Sequence, residues 1–134
     1  MSRASTYSLI VFIGLGGAIG ATMRYGVALL FAEQSFPYET MIVNILGCFV
    51  LGFLSNHGSI KKKLPQPVLL AINTGIIGSF TTFSTFTVET IHLITDQIVA
   101  GFIYLFGSIV FGILGSFAGY FLAKILCKEE EVIQ

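Results

Sequence analysis

The sequence predicts an all-α membrane protein of four transmembrane helices, the third of them broken at its centre. Three observations carry that expectation. Of 134 residues, 54% are hydrophobic and only 10% charged, where a soluble domain carries roughly 25% charged residues. The apolar residues fall into four runs, about 7–31, 38–55, 67–95 and 98–127, and a helix needs about 17–25 of them to cross the hydrocarbon layer. The third run holds Gly75, Gly78, a row of hydroxyls and three phenylalanines where a plain membrane helix would be aliphatic. The chain reads as a single transmembrane domain over residues 1–134, with mean hydropathy +0.88.

The first run follows Arg3, and its front resembles a signal peptide. Three further apolar runs, and its own continuation past Arg24, argue for a helix instead. Gly16 and Gly20 form a small-xxx-small pair that suits close helix packing. Arg24 lies a turn or two from the end of this run. An arginine in hydrocarbon is costly, so it either snorkels to headgroups or draws an anion into a vestibule.

The second run carries Asn44. A buried amide needs a partner, and at helical spacing Asn44, Cys48, Leu51 and Ser55 share a face. Asn44 therefore either ties helices together or lines a pore, where its NH2 group can donate to an anion. The loop after it holds Lys61, Lys62 and Lys63 and ends at Pro65 and Pro67. Lysine runs beside membrane helices mark the cytoplasmic side.

The third run is too long for a straight span, and a break between Gly75 and Thr82 accounts for the excess. Glycines weaken a helix by about 1 kcal/mol each against alanine. Broken backbone at membrane depth lines a wet cavity or is buried in protein, and such breaks often bind ions. Beyond the break Phe83 and Phe86 are i,i+3 neighbours on one side of the helix, extended by Thr87 and Thr90. Thr82, Thr85 and Glu89 lie on the adjacent side. The pair reads either as core packing or as part of an ion path.

The fourth run begins after a very short loop around residues 95–97. Gly101, Tyr104, Ser108, Gly112, Gly115 and Gly119 fall within a narrow arc of it, a stripe for close helix contact to which Tyr104 and Ser108 add hydroxyls. The charged tail, residues 128–134, reads as frayed. Cys48 and Cys127 are read as packing residues and not as a disulfide. The net charge is zero, so there is no nucleic-acid footprint. Ser84 and His92 do not make a catalytic pair, and no metal cluster of Cys, His and acids is evident.

The run from Gly16 to Tyr25, Asn44 with Gly47, and the stretch Gly78-Ser79-Phe80-Thr81-Thr82-Phe83-Ser84-Thr85-Phe86 together resemble the Fluc (CrcB) family of bacterial fluoride channels, over nearly the whole chain. The resemblance implies a fluoride-specific channel for passive efflux across the bacterial inner membrane, not an enzyme. It implies an antiparallel dimer, with itself or with a homologous second subunit, with two pores and a central, structural sodium ion. Phe83 and Phe86 match the paired phenylalanines of each pore, and Asn44 the amide facing them. Tyr104 and Ser108 match a pore-facing track and Glu89 an acid after the phenylalanines. Thr82, Ser84 and Arg24 complete the implied fluoride path. Gly78 and Thr81 match the positions whose backbone carbonyls hold sodium. The rival reading is a small proton-coupled multidrug-type transporter; that class needs a carboxylate in its first membrane helix, and this one has none.

Overall fold

A computed structural model describes residues 3–31 and 34–133. Glu33, between the first two runs, lies outside the described residues. The chain forms α1 (Arg3–Leu30), α2 (Tyr38–Asn56), α3 (Gly58–Lys63) and α4 (Gln66–Leu70), which runs into a π-helical stretch (Ala71–Ile77) and the single turn α5 (Gly78–Phe80). After a break come α6 (Phe83–Asp96) and α7 (Ile98–Ile133). Four helical spans are long and apolar enough to cross a membrane: Thr6–Leu30, Tyr38–Asn56, Gln66–Asp96 and Ile98–Lys128.

The break is confined to two residues. Thr81 (φ −79°, ψ 163°) and Thr82 (φ −150°, ψ 127°) are extended, while Gly78 keeps right-handed helical angles (φ −62°, ψ −32°). Glycine flexibility is therefore not what breaks this span. Upstream the helix widens instead, over a π-helical stretch that contains Gly75; such wide turns often accompany functional sites.

The most extensive packing is α2 against α7, and α1 lies along the π-helical stretch and α5. Small residues set both approaches. A Cβ on Gly119 would overlap the Phe49 carbonyl of α2, and one on Gly20 the Ile76 carbonyl of the π-helical stretch. The stripe on α7 thus serves the helix contact that its spacing suggests. α6 and α7 meet across the single residue Gln97, and Gly101 sits against Ile94 at that corner.

Two local expectations change. The tail, expected to fray, is helical as far as it is described: α7 continues to Ile133, because lysine and glutamate are good helix formers and no Gly or Pro follows Cys127. The loop after α2 is partly helical, as α3. There His57 is buried and the Gly58 N–H donates to Cys127 Sγ at 3.2 Å. Cys127, with Cys48 a free cysteine, therefore pins α3 to the end of α7.

Candidate functional site

The functional geometry centres on Thr82. Its N–H donates to Asn44 Oδ1 at 2.8 Å, and its carbonyl accepts from Asn44 Nδ2 at 2.9 Å. One side chain of α2 thus replaces two backbone partners that a continuous helix would supply. The Thr82 hydroxyl oxygen accepts from the Thr85 N–H at 3.2 Å, capping α6, and the same hydroxyl lies 2.9 Å from Thr85 Oγ1 and 3.4 Å from Ser84 Oγ. Threonine is a favoured residue at such caps. Thr81 turns both its N–H and its hydroxyl back onto the Ile77 carbonyl, at 3.0 and 2.9 Å. α2 comes this close because position 47 is glycine; a Cβ there would run into Thr81 Cγ2.

These diversions have a consequence for the carbonyls. In an unbroken helix the Thr82 N–H would bond the Gly78 carbonyl, and the Thr85 N–H the Thr81 carbonyl. Both N–H groups go to side chains instead. Gly78 and Thr81, whose carbonyls the resemblance implies as cation ligands, are thus among the positions that lose their helical donors at the break.

Two clefts flank Thr82, which lines both. One, of about 260 Å³, is lined by Asn44, Gly47, Cys48, Leu51, Asn73, Ile77, Gly78, Thr81, Thr82 and Phe83. It collects Asn44, both carbonyl positions and the first phenylalanine, as well as the Cys48 and Leu51 that share the Asn44 face. Asn73 Oδ1 is buried here without a hydrogen-bond partner among the described residues. The other cleft, of about 290 Å³, is lined by Ala21, Arg24, Tyr25, Ala28, Glu39, Thr40, Val43, Thr82, Thr85 and Glu89.

The phenylalanines form an aromatic ladder. Phe83 is 80% exposed on the protomer, and its ring centroid is 6.1 Å from that of Phe86. Phe86 lies 5.3 Å from Tyr104, which meets Phe36 edge-on at 5.6 Å. Tyr104 is fully buried. Its hydroxyl donates to Glu89 Oε2 at 2.7 Å, and Thr40 donates to Glu89 Oε1 at 3.0 Å. Glu89 is therefore held between α2 and α7. Ser108 Oγ is buried with no hydrogen-bond partner among the described residues, but Ser108 and Phe86 line neither cleft. Thr87 and Thr90 bond carbonyls of their own helix, at 2.9 and 2.7 Å. His92 is exposed, as expected near a loop.

Thr40 and Glu39 are the site residues that sequence reasoning passed over. Thr40 was recoverable, since it lies four residues before Asn44 on the same face of α2. Glu39 falls within the run read from residue 38 and was given no role there; it lies in the first turn of α2, which carries it into the cleft.

Residues 11–120 match the family described as "CrcB-like protein, Camphor Resistance (CrcB)". Among curated relatives, one from Oceanobacillus iheyensis named "Fluoride-specific ion channel FluC" is 42% identical over 126 residues, covering 92% of this chain and 97% of its own. One from Bacillus cereus named "Fluoride-specific ion channel FluC 1" is 39% identical over 125 residues, covering 90% and 91%. A third, from Chlorobium phaeobacteroides and named as the first, is 43% identical over 123 residues, covering 89% and 95%.

Proposed function

The chain belongs to the CrcB-like family, and from that premise we propose that it is a fluoride-specific ion channel that lets fluoride leave a bacterial cell down its gradient, across the inner membrane. The observation that carries this reading is the kinship itself, about 40% identity over nine-tenths of the chain to proteins named for that activity. The geometry is of the kind such a channel needs. Fluoride is small and strongly hydrated, so a pore must replace its water with several weak contacts. Phenylalanine ring edges carry partial positive charge, and hydroxyls and amides donate hydrogen bonds.

In this reading fluoride enters through the cleft at Arg24 and passes the hydroxyls of Thr82, Ser84 and Thr85. It then meets the edges of Phe83 and Phe86. Asn44 spends one of its two amide hydrogens on the Thr82 carbonyl, which leaves the other for an anion. The unpartnered Ser108 hydroxyl and the Tyr104–Glu89 pair form the wall contributed from α7 and α6. No covalent step is involved.

The functional unit we propose is an antiparallel dimer, formed with a second copy or a homologous subunit. The exposure of Phe83, and a cleft opening beside it at the broken backbone, support a pore completed by a partner. The carbonyls of Gly78 and Thr81 fit a sodium ion: both are hard neutral oxygens without their helical donors, and hard cations take such ligands. Sodium bound there would supply a fixed positive charge beside the anion path. Asn44 and the Thr82 cap hold those carbonyls free of the helix.

Anion efflux from liposomes holding the purified protein tests the function. Fluoride should leave orders of magnitude faster than chloride. Equal rates, or no fluoride efflux above protein-free liposomes from this chain either alone or with a homologous subunit, would refute it.

A further inference from the structure

The cleft between α1, α2 and α6 holds two acids against one base: Glu39 and Glu89 against Arg24. For the mouth of an anion path this is the wrong balance, and the two acids differ in how they are held. Glu89 has a hydroxyl donor on each oxygen, Thr40 on one and Tyr104 on the other. Glu39 Oε2 is buried and has no hydrogen-bond partner among the described residues. A buried carboxylate oxygen without a donor is costly. We propose that Glu39 sets the rate at which fluoride enters this mouth. Its carboxylate offsets the charge of Arg24 across the cleft and holds entry down. The charged and titratable groups facing it are Arg24 and Tyr25 of α1, Glu89 of α6 and, through Glu89, Tyr104 of α7.

The inference rests on the channel reading above, and fluoride current through planar bilayers separates the two. At neutral pH, low ionic strength and sub-saturating fluoride, Glu39→Gln should carry roughly three- to ten-fold more current than the parent, the range expected when a charged mouth alters local ion concentration. The ratio should shrink towards one as an impermeant salt screens the mouth. If Glu39→Gln yields no channels, Glu39→Ala takes the same test, and current no greater than the parent's overturns the proposal. Equal or smaller current in a well-assembled Glu39→Gln overturns it as well. A parent with no fluoride current, either alone or with a homologous subunit, overturns both this inference and the channel reading.

Discussion

Phe83 and Phe86 occupy opposite situations despite their i,i+3 spacing. Phe86 is half-buried against Tyr104, while Phe83 projects from the protomer. A phenylalanine exposed to lipid alone would tolerate isoleucine, since both are apolar. A ring whose edge faces fluoride would not, because isoleucine removes the partial positive charge. Phe83→Ile is therefore expected to cut fluoride efflux from liposomes at least about ten-fold, which is about 1.4 kcal/mol in the rate-limiting barrier, with assembly unchanged by size-exclusion chromatography. Phe86→Ile should also lower efflux, with some loss of stability from the Tyr104 contact. Undiminished efflux in both variants would make the pair packing residues. The residues of this site were legible unevenly. Asn44 stood out because an amide in an apolar run needs a partner, but its partner, the backbone of Thr82, lies 38 positions away. Tyr104 showed a hydroxyl on a glycine-rich stripe, yet its bond to Glu89 depends on the α6–α7 corner, which no spacing within one helix reports.

At the scale of the element, the sequence pointed to the right span for the wrong reason. Gly75 and Gly78 suggested a weak helix, but Gly78 is helical and a Cβ there would meet nothing closer than the Asn73 carbonyl at 3.8 Å. The break is made by competition for backbone hydrogen bonds. Asn44 takes both polar groups of Thr82, and the Thr82 hydroxyl takes the Thr85 N–H. Such a competition joins two elements and leaves no trace in the periodicity of either. It makes a distinction between variants. Asn44→Leu leaves the Thr82 carbonyl without its partner, costing about 1–3 kcal/mol, and lets the Thr82 N–H return to the Gly78 carbonyl. Gly78→Ala should fold normally and leave that carbonyl free. If sodium binds at Gly78 and Thr81, the parent and Gly78→Ala should melt at higher temperature in sodium than in a bulky organic cation, and Asn44→Leu should lose the difference. A parent indifferent to the exchange would remove the sodium site. Equal sodium responses in Asn44→Leu and the parent would remove Asn44 from its support.

At the scale of the whole molecule the open question is which way the chain crosses the membrane. Four spans put both termini on one side, together with the loop that contains α3. Six of the seven basic residues fall there: Arg3, Lys61, Lys62, Lys63, Lys124 and Lys128; Arg24 alone lies towards the other side. Positive charge near helix ends holds a loop in the cytoplasm, and acids count little in that balance, so Glu129, Glu130 and Glu131 offset little of it. The chain should therefore insert with both termini inside. An antiparallel dimer needs a subunit inserted the other way, and a chain with this bias does not readily supply one. The expected arrangement is a heterodimer with a homologous subunit of opposite charge bias in the same cell. C-terminal fusions to a reporter active only in the cytoplasm and, separately, to one active only outside would read the orientation directly. A cytoplasmic signal alone, with fluoride efflux appearing only when the homologue is co-expressed, supports the pair. Equal signals from the two reporters, with efflux from this chain by itself, would mean dual insertion and a homodimer, and the loop charges would then be too weak to set the topology.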